Sequence, residues 1–159
     1  MKRFLIITLT LIMSVTTFAQ KNHPSFWGVK IGEDKSAIME RVLFGRGFSF
    51  EANKYSSDLT YNGIYNGVRA KVVIKPDAAT SVIRELSFYL YDSYWENLRP
   101  MYESMLNSYR KNYPNFVETQ NYGTITFKKG DDSIVLVNTD TSVYVTYKSK
   151  IRYQLNDDF

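Results

Sequence analysis

The sequence of 159 residues has no cysteine, a single histidine and only four prolines. Without cysteine the fold has no disulfide and the chain has no thiol nucleophile. The fold must therefore be stabilised by its hydrophobic core. A chain of about 150 residues can do this, because it buries roughly 70 % of the surface that its unfolded form exposes. At this length we expect one domain.

Long runs of one charge are also missing. The chain carries 20 Lys and Arg residues against 16 Asp and Glu residues. No run of about five or more like charges occurs, so the sequence lacks the electrostatic pattern of a nucleic-acid or membrane-surface protein. We therefore expect neither kind of partner.

The first 20 residues, MKRFLIITLTLIMSVTTFAQ, have the order of an export signal. Lys2 and Arg3 precede an apolar run of about a dozen residues, which is shorter than the roughly 20 needed to span a bilayer. Small residues then stand at positions 17 and 19. This order predicts a signal peptide at 1–19 with cleavage after Ala19, and a protein that is periplasmic or secreted. An uncleaved membrane anchor is the alternative.

Two amphipathic helices are predicted from apolar spacing. Asp34 is the predicted N-cap of the first helix, which ends at Gly45 and Gly47. Ser93 and Glu96 form a predicted capping box for the second. That helix ends near residues 112–114, and its apolar stripe consists of Trp95, Leu98, Tyr102, Met105 and Tyr109.

The stretch YNGIYNGVRAKVVIKP predicts a β-hairpin. A turn at Asn66 and Gly67 places apolar or small residues opposite one another on one face, whereas a turn at the earlier Asn-Gly gives no such face. The strands are predicted near 57–65 and 68–75, with Gly63 as a bulge or a point of close approach. Further strands are predicted at 82–91, 123–129, 133–137 and 142–148, and residues 115–119 are a candidate for one more.

This order of elements predicts the α+β class. We expect an antiparallel β-sheet with two α-helices packed on one face, in the order helix, strands, helix, strands. Residues 20–25 are predicted to be a flexible leader, 26–150 a single domain and 151–159 a C-terminal tail.

Three stretches of the chain carry a resemblance. They are FWGVKIGEDKSAIMERVLFGRGF, LTYNGIYNGVRAKVVI and YWENLRPMYESMLNSYRKNYPN. Together they resemble small exported bacterial domains, mostly of unknown function, whose layout is similar to the β-lactamase-inhibitor-protein-like fold of outer-membrane assembly lipoproteins. The resemblance implies binding to other proteins without catalysis. This chain lacks the lipidated cysteine of those lipoproteins, so we expect no stable membrane anchor after signal cleavage.

The residues offer little for catalysis. His23 lies beside Pro24 in the predicted leader, whereas acid–base and nucleophilic schemes need groups held on rigid elements. Glu33 and Asp34 are interpreted as helix-start residues, and residues 131 and 132 as a hairpin turn. No ligand spacing indicates a metal, and no cofactor is predicted. A hydrolase whose acids come together only in space stays open as a third hypothesis.

Tyrosine supplies the candidate interaction surface. If the even positions of 82–91 are buried, Tyr89 and Tyr91 lie on the other face of the strand, and Tyr144 does likewise on the last strand. These three tyrosines predict a surface that binds a protein partner or an envelope component. A glycan-binding module that uses the same tyrosines is the alternative, and plain cross-strand packing is the non-functional interpretation. Trp27 and Trp95 are predicted to be core residues.

Overall fold

A computed structural model describes residues 22–152. The predicted signal peptide at 1–19 and residues 153–159 of the predicted tail lie outside the described residues. Within them the chain forms two helices and ten strands. The helices are α1 (Ser36–Gly45) and α2 (Trp95–Asn112). The strands are β1 (Ser25–Phe26), β2 (Val29–Lys30), β3 (Ser49–Glu51), β4 (Leu59–Tyr65), β5 (Val68–Pro76), β6 (Ile83–Tyr91), β7 (Val117–Asn121), β8 (Thr124–Lys129), β9 (Asp132–Asn138) and β10 (Ser142–Lys148).

Eight of these strands form one antiparallel sheet. Its order is β3-β4-β5-β6-β10-β9-β8-β7, and β1 pairs with β2 in a separate small sheet. Strands β3 to β6 are sequential neighbours, as are β7 to β10, and the two groups meet where β6 pairs with β10. Helix α2 joins the two groups in the chain. The predicted α+β class and antiparallel sheet are confirmed.

The β4–β5 hairpin has the predicted register. Leu59 pairs with Ile74 and Tyr61 with Val72. The turn residues Asn66 and Gly67 have φ of 48° and 83°. Positive φ at both central positions defines the two-residue turn that Asn-Gly favours, because its twist matches that of the flanking strands.

Gly63 is a point of close approach between β4 and the segment that follows α1. A Cβ atom at Gly63 would lie 2.7 Å from Cγ of Phe48. The ring of Phe48, which is buried, thus rests where any other residue would carry a side chain. The sheet shows no register shift at Gly63, so the close approach, and not the bulge, is the correct alternative.

One face of the sheet supplies the core. Residues that oppose one another across neighbouring strands share a face of the sheet. One row of such paired residues crosses the sheet from β4 to β8, and every member of it is buried. It runs through Tyr61, Val72, Phe88, Val145, Leu136 and Ile125. We call this side of the sheet the core face and the opposite side the open face.

Both predicted helix caps are wrong. The N-cap of α1 is Lys35 and that of α2 is Tyr94, and neither makes a side-chain cap hydrogen bond. Asp34 instead accepts a hydrogen bond from the backbone N–H of Lys30 at 2.7 Å. The carboxylate of Asp92 serves the start of α2, accepting from the N–H of Tyr94 at 2.9 Å. At α1 the upstream turn thus competes with the helix for the side chain of Asp34, and at α2 Asp92 takes the role predicted for Ser93.

Candidate functional site

The three predicted tyrosines lie together on the open face. Tyr89 of β6 pairs directly with Tyr144 of β10, and Tyr91 stands two residues further along β6. The ring centroids of Tyr89 and Tyr144 are 5.3 Å apart, and those of Tyr89 and Tyr91 are 6.1 Å apart with planes 5° from parallel. We call this group the tyrosine cluster. Its three rings are half-buried, so each keeps surface that is accessible to a partner.

The strand order explains why the cluster forms. β6 and β10 are far apart in the chain but adjacent at the centre of the sheet. Their antiparallel register sets Tyr89 opposite Tyr144, and side chains two apart on one strand share a face. Burial and the neighbouring Tyr89 raise the pKa of Tyr91. This phenol therefore stays neutral and able to donate a hydrogen bond at physiological pH.

Two cations border the cluster on β5. Arg69 pairs with Tyr91 and Lys71 with Tyr89, so both lie on the open face. Within residues 22–152 neither cation lies within 4.0 Å of a carboxylate. Their charge is thus available to an anionic group on a partner.

A second charged group lies further along the same face. Glu85 forms ion pairs with Lys75 at 2.8 Å and with Lys148 at 3.1 Å. Burial alone would raise the pKa of Glu85, but hydrogen bonds from the two lysines outweigh it and lower the pKa. One carboxylate between two lysines leaves this end of the open face positive as well.

A shallow depression of about 570 Å³ adjoins the tyrosine cluster. Ile64 forms an apolar part of it and is 60 % exposed. The depression is lined by Asn62, Gly63, Ile64, Arg69, Ala70, Lys71 and Tyr91. An exposed isoleucine between two cations and a tyrosine suits a partner that combines an apolar group with negative charge.

The acids that the sequence set aside lie elsewhere. The side chain of Asp132, at the start of β9, is only 3 % exposed. It accepts hydrogen bonds from Oγ of Ser149 at 2.6 Å and from Nη2 of Arg152 at 2.7 Å. His23 lies 3.5 Å from the same carboxylate and 3.8 Å from Glu33. We call this group the Asp132 corner. Asp132 does close the β8–β9 hairpin turn, where it pairs with Lys129, but its side chain also forms this ion pair. The helix-start role of Glu33 is wrong, because the first turn of α1 contains no acidic residue and the Glu33 carboxylate pairs with Lys30 at 3.2 Å.

The Asp132 corner does not have the geometry of a catalytic triad. In a triad the serine hydroxyl is hydrogen-bonded to histidine, and the carboxylate orients that histidine. Here the hydroxyl of Ser149 donates to Asp132 and accepts from Arg152 at 2.8 Å. Burial tends to raise the pKa of Asp132, but the hydrogen bonds from Ser149 and Arg152 prevail and lower it. The corner is a structural ion pair, while the lack of catalysis in the chain as a whole stays a prediction.

Sequence reasoning missed Asp132 because its partners are remote in the chain. His23 is 109 residues away and Arg152 is 20 residues away. The two flanking cations of the tyrosine cluster were detectable in principle, since the hairpin register places Arg69 and Lys71 on the polar face of β5. Within residues 22–152, no three His, Asp or Glu side chains come close enough to hold a metal ion.

The comparisons with known proteins add no relative. No protein family, no curated protein and no solved structure matches this chain. In the part of the chain that the structure describes, no helix is long and apolar enough to cross a membrane.

Proposed function

We propose that this protein is an exported, non-enzymatic interaction domain that binds a protein partner of the cell envelope through its open face. The observation that carries the proposal is the tyrosine cluster: three stacked, half-exposed rings at the centre of the sheet, bordered by Arg69 and Lys71. Tyrosine and arginine are the residue types most enriched at the energetic centres of protein interfaces.

We further propose that both helices pack on the core face. The ring of Phe44 in α1 contacts Tyr61 edge-on at 5.9 Å. The hydroxyl of Tyr109 in α2 lies 2.6 Å from that of Tyr147. Tyr61 is in the buried row that includes Val145, and Tyr147 stands two residues along β10 from Val145. Both helices thus contact side chains of one face, which leaves the other for a partner.

Charge favours an acidic segment as the partner's contacting part. The open face carries Arg69, Lys71, Lys75 and Lys148 against two carboxylates, Glu85 between its lysines and Glu51, which accepts a hydrogen bond from Asn62. A partner that presents Asp or Glu beside an apolar or aromatic side chain would match both the cations and the depression at Ile64. Such charges act mainly on the association rate and on partner choice.

A glycan-binding module is the second candidate. The rings of Tyr89 and Tyr91, whose planes are 5° from parallel, stack on each other and present aromatic edges and hydroxyls against which a sugar can pack. This candidate predicts binding that depends on the tyrosines but little on the cations. The protein-binding proposal predicts dependence on both.

Site-specific photo-crosslinking in living cells tests the proposal. A photo-reactive amino acid is placed at Tyr144 in one variant and at Tyr122 in its control, because Tyr122 is fully exposed at the β7–β8 turn. We expect a protein adduct from position 144 that is absent from position 122 and is lost when Lys71→Glu is added. Equal adducts from both positions, or none, would contradict the protein-binding proposal. A glycan array probed with wild type and Tyr89→Ala tests the second candidate.

Export is tested separately by intact-mass measurement on fractionated cells. We expect the protein outside the cytoplasm with a mass that begins at Gln20. A mass that retains residues 1–19 would contradict signal cleavage.

A further inference from the structure

A second concave site lies away from the open face, between the β1–β2 hairpin and α2. It is a cleft of about 290 Å³. Its floor is Tyr65, Phe88 and Tyr147 from the sheet. The complete lining is Ser25, Phe26, Trp27, Gly28, Tyr65, Phe88, Ser104, Met105, Ser108, Tyr109, Asn112, Tyr113 and Tyr147. None of these side chains is charged, so a charged ligand would lose its hydration without gaining an ionic partner.

Trp27 forms one wall and is held in an unusual backbone conformation. Its φ is +48° and that of Gly28 is +85°, the pattern of a tight two-residue hairpin turn. Positive φ is rare for so bulky a residue. The ring centroids of Trp27 and Phe26 are 4.3 Å apart. The Cζ atom of the Arg46 guanidinium lies over the indole, also 4.3 Å from the ring centroid. These contacts keep the indole half-buried at the cleft instead of fully in the predicted core, and strained residues of this kind concentrate at binding sites.

The opposite wall is polar and comes from one ridge of α2. Ser104, Ser108 and Asn112 follow one another at four-residue spacing and therefore share a face of the helix. The side-chain amide of Asn112 donates to Oγ of Ser108 at 3.1 Å. The cleft thus has an aromatic wall and a hydroxyl-and-amide wall, a combination that fits a ligand with one apolar face and a hydrogen-bonding edge.

Two buried phenols at the cleft have one hydroxyl hydrogen that lacks an acceptor within the described residues. The hydroxyl oxygens of Tyr109 and Tyr147 are 2.6 Å apart, and only one of the two hydroxyl hydrogens can lie between them. In residues 22–152 neither hydroxyl has another hydrogen-bond partner. Tyr109 is only 7 % exposed and Tyr147 only 2 % exposed. Burial holds the pKa of both phenols well above the ordinary value, so both stay protonated. A ligand oxygen that accepts the second hydrogen would satisfy this donor.

We propose that the cleft between Trp27 and the Ser104–Ser108–Asn112 ridge binds one neutral sugar ring, either a free monosaccharide or the end residue of a glycan. The faces of the indole are covered by Phe26 and Arg46, so the cleft offers aromatic edges to the apolar C–H face of a pyranose. The sugar hydroxyls match the serine and asparagine side chains, and its oxygens can accept from the phenol pair. The proposal does not depend on the open face or on its partner.

The chain offers a direct reporter for the test. It has only two tryptophans, Trp27 and Trp95. In Trp95→Phe, all tryptophan emission comes from the wall of the cleft. We would titrate this variant with glucose, galactose, mannose and N-acetylglucosamine, and with short oligosaccharides that end in any sugar that binds. Tighter binding of the oligosaccharide indicates a glycan end, and equal binding indicates a free sugar. Glucuronate and cyclohexanol serve as the charged and the apolar ring probes.

Two substitutions on α2 make the result specific. Ser108→Leu fills the cleft with a strong helix former. Asn107→Leu makes the same kind of change one residue away, at an exposed position that does not line the cleft. We expect a saturable emission change with at least one neutral sugar. It should weaken by about tenfold or more in Ser108→Leu and by less than about twofold in Asn107→Leu.

Four results would overturn the proposal. They are no response to any neutral sugar, equal responses in the two leucine variants, glucuronate binding as tightly as its neutral counterpart, and a response to cyclohexanol alone. Circular dichroism on each variant shows that the fold is retained, and nuclear magnetic resonance shifts at Ser104 and Asn112 provide a second readout that does not rely on fluorescence.

Discussion

Replacing Gly63 by alanine tests the packing that connects the sheet to the cleft. Gly63 has no positive φ, so its backbone suits alanine and the effect is purely steric. The new Cβ would lie 2.7, 2.8 and 2.9 Å from three ring atoms of Phe48, whereas ordinary contacts begin at 3.4 Å. The ring must therefore recede by several tenths of an ångström within a packed core.

The expected cost follows from that displacement. Phe48 is 4 % exposed and packs edge-on against Trp27 at 5.9 Å, so it cannot swing into solvent. Overpacking a core costs about 1–3 kcal/mol. Alanine also has less conformational freedom than glycine in the unfolded chain, which stabilises the folded state by about 0.4–1 kcal/mol. We expect a net loss of about 1–2 kcal/mol in the free energy of unfolding, which lowers Tm by roughly 2–4 °C per kcal/mol.

The assay is urea unfolding followed by circular dichroism, with Gly45→Ala as the matched control. Gly45 ends α1, and a Cβ there meets no atom within 4 Å. We expect Gly45→Ala to be neutral or stabilising by about 0.5–1 kcal/mol. The double variant Gly63→Ala with Phe48→Leu adds a second check, because removing the ring should abolish most of the cost of Gly63→Ala.

Equal stability of Gly63→Ala and Gly45→Ala would refute the reasoning. The same conclusion would follow if the cost of Gly63→Ala persisted unchanged beside Leu at position 48. Either result would mean that the ring does not occupy the space at Gly63.

Three further predictions concern buried polar groups. Asp132→Asn should lose roughly 2–3 kcal/mol at pH 7, since it removes the carboxylate of a largely buried ion pair. Because the folded-state pKa of Asp132 is lowered, this contribution exists above the unfolded pKa of about 3.9 and is lost as pH falls through the folded value. The difference between wild type and variant in urea unfolding should therefore shrink in acid, and a constant difference would contradict the assignment. Tyr147→Phe should lose about 1 kcal/mol of unfolding free energy, because the hydroxyl of Tyr109 loses its partner; an unchanged midpoint would contradict the pair. Burial and the carboxylate of Glu40 raise the pKa of Tyr61 to about 12, so Glu40→Gln should lower that pKa in an ultraviolet titration, and an unmoved titration would refute the contact.

Local signals predicted the parts of the fold that depend on near neighbours. The hairpin at Asn66 and Gly67 follows from turn chemistry and from one apolar face, both contained within about 20 residues. The apolar stripe of α2 is similarly local, and Leu98 and Tyr109 are buried as its spacing predicts. Strand β10 has the predicted bounds, while β7 begins two residues later than the segment considered for it.

Features that join distant segments escaped prediction. The predicted cap at Asp34 failed because its carboxylate accepts from Lys30, and the one at Ser93 failed because the preceding Asp92 accepts from the N–H of Tyr94 at the start of α2. A sequence pattern does not rank these competing hydrogen bonds. The sequence placed Tyr89, Tyr91 and Tyr144 on the polar sides of their strands, but it did not predict that β6 and β10 are neighbours, which is what stacks the rings. The cleft at Trp27 depends on a hairpin of only two residues per strand, too short to produce a periodic signal.

Under a stretching force, the Asp132 corner should break before the sheet does. It fastens His23 to β9, and the backbone N–H of Arg152 donates to the carbonyl of Gly32 at 2.8 Å. A stretching force applied at residues 22 and 152 would load these few polar bonds before it reached the eight hydrogen-bonded strands. Their rupture would free His23 and Arg152 as a small first step in a force–extension trace. The β1–β2 hairpin, anchored by buried Phe26 and Val29 and by the hydrogen bond from the Ser25 N–H to the Tyr113 hydroxyl, would hold with the sheet until a larger second step.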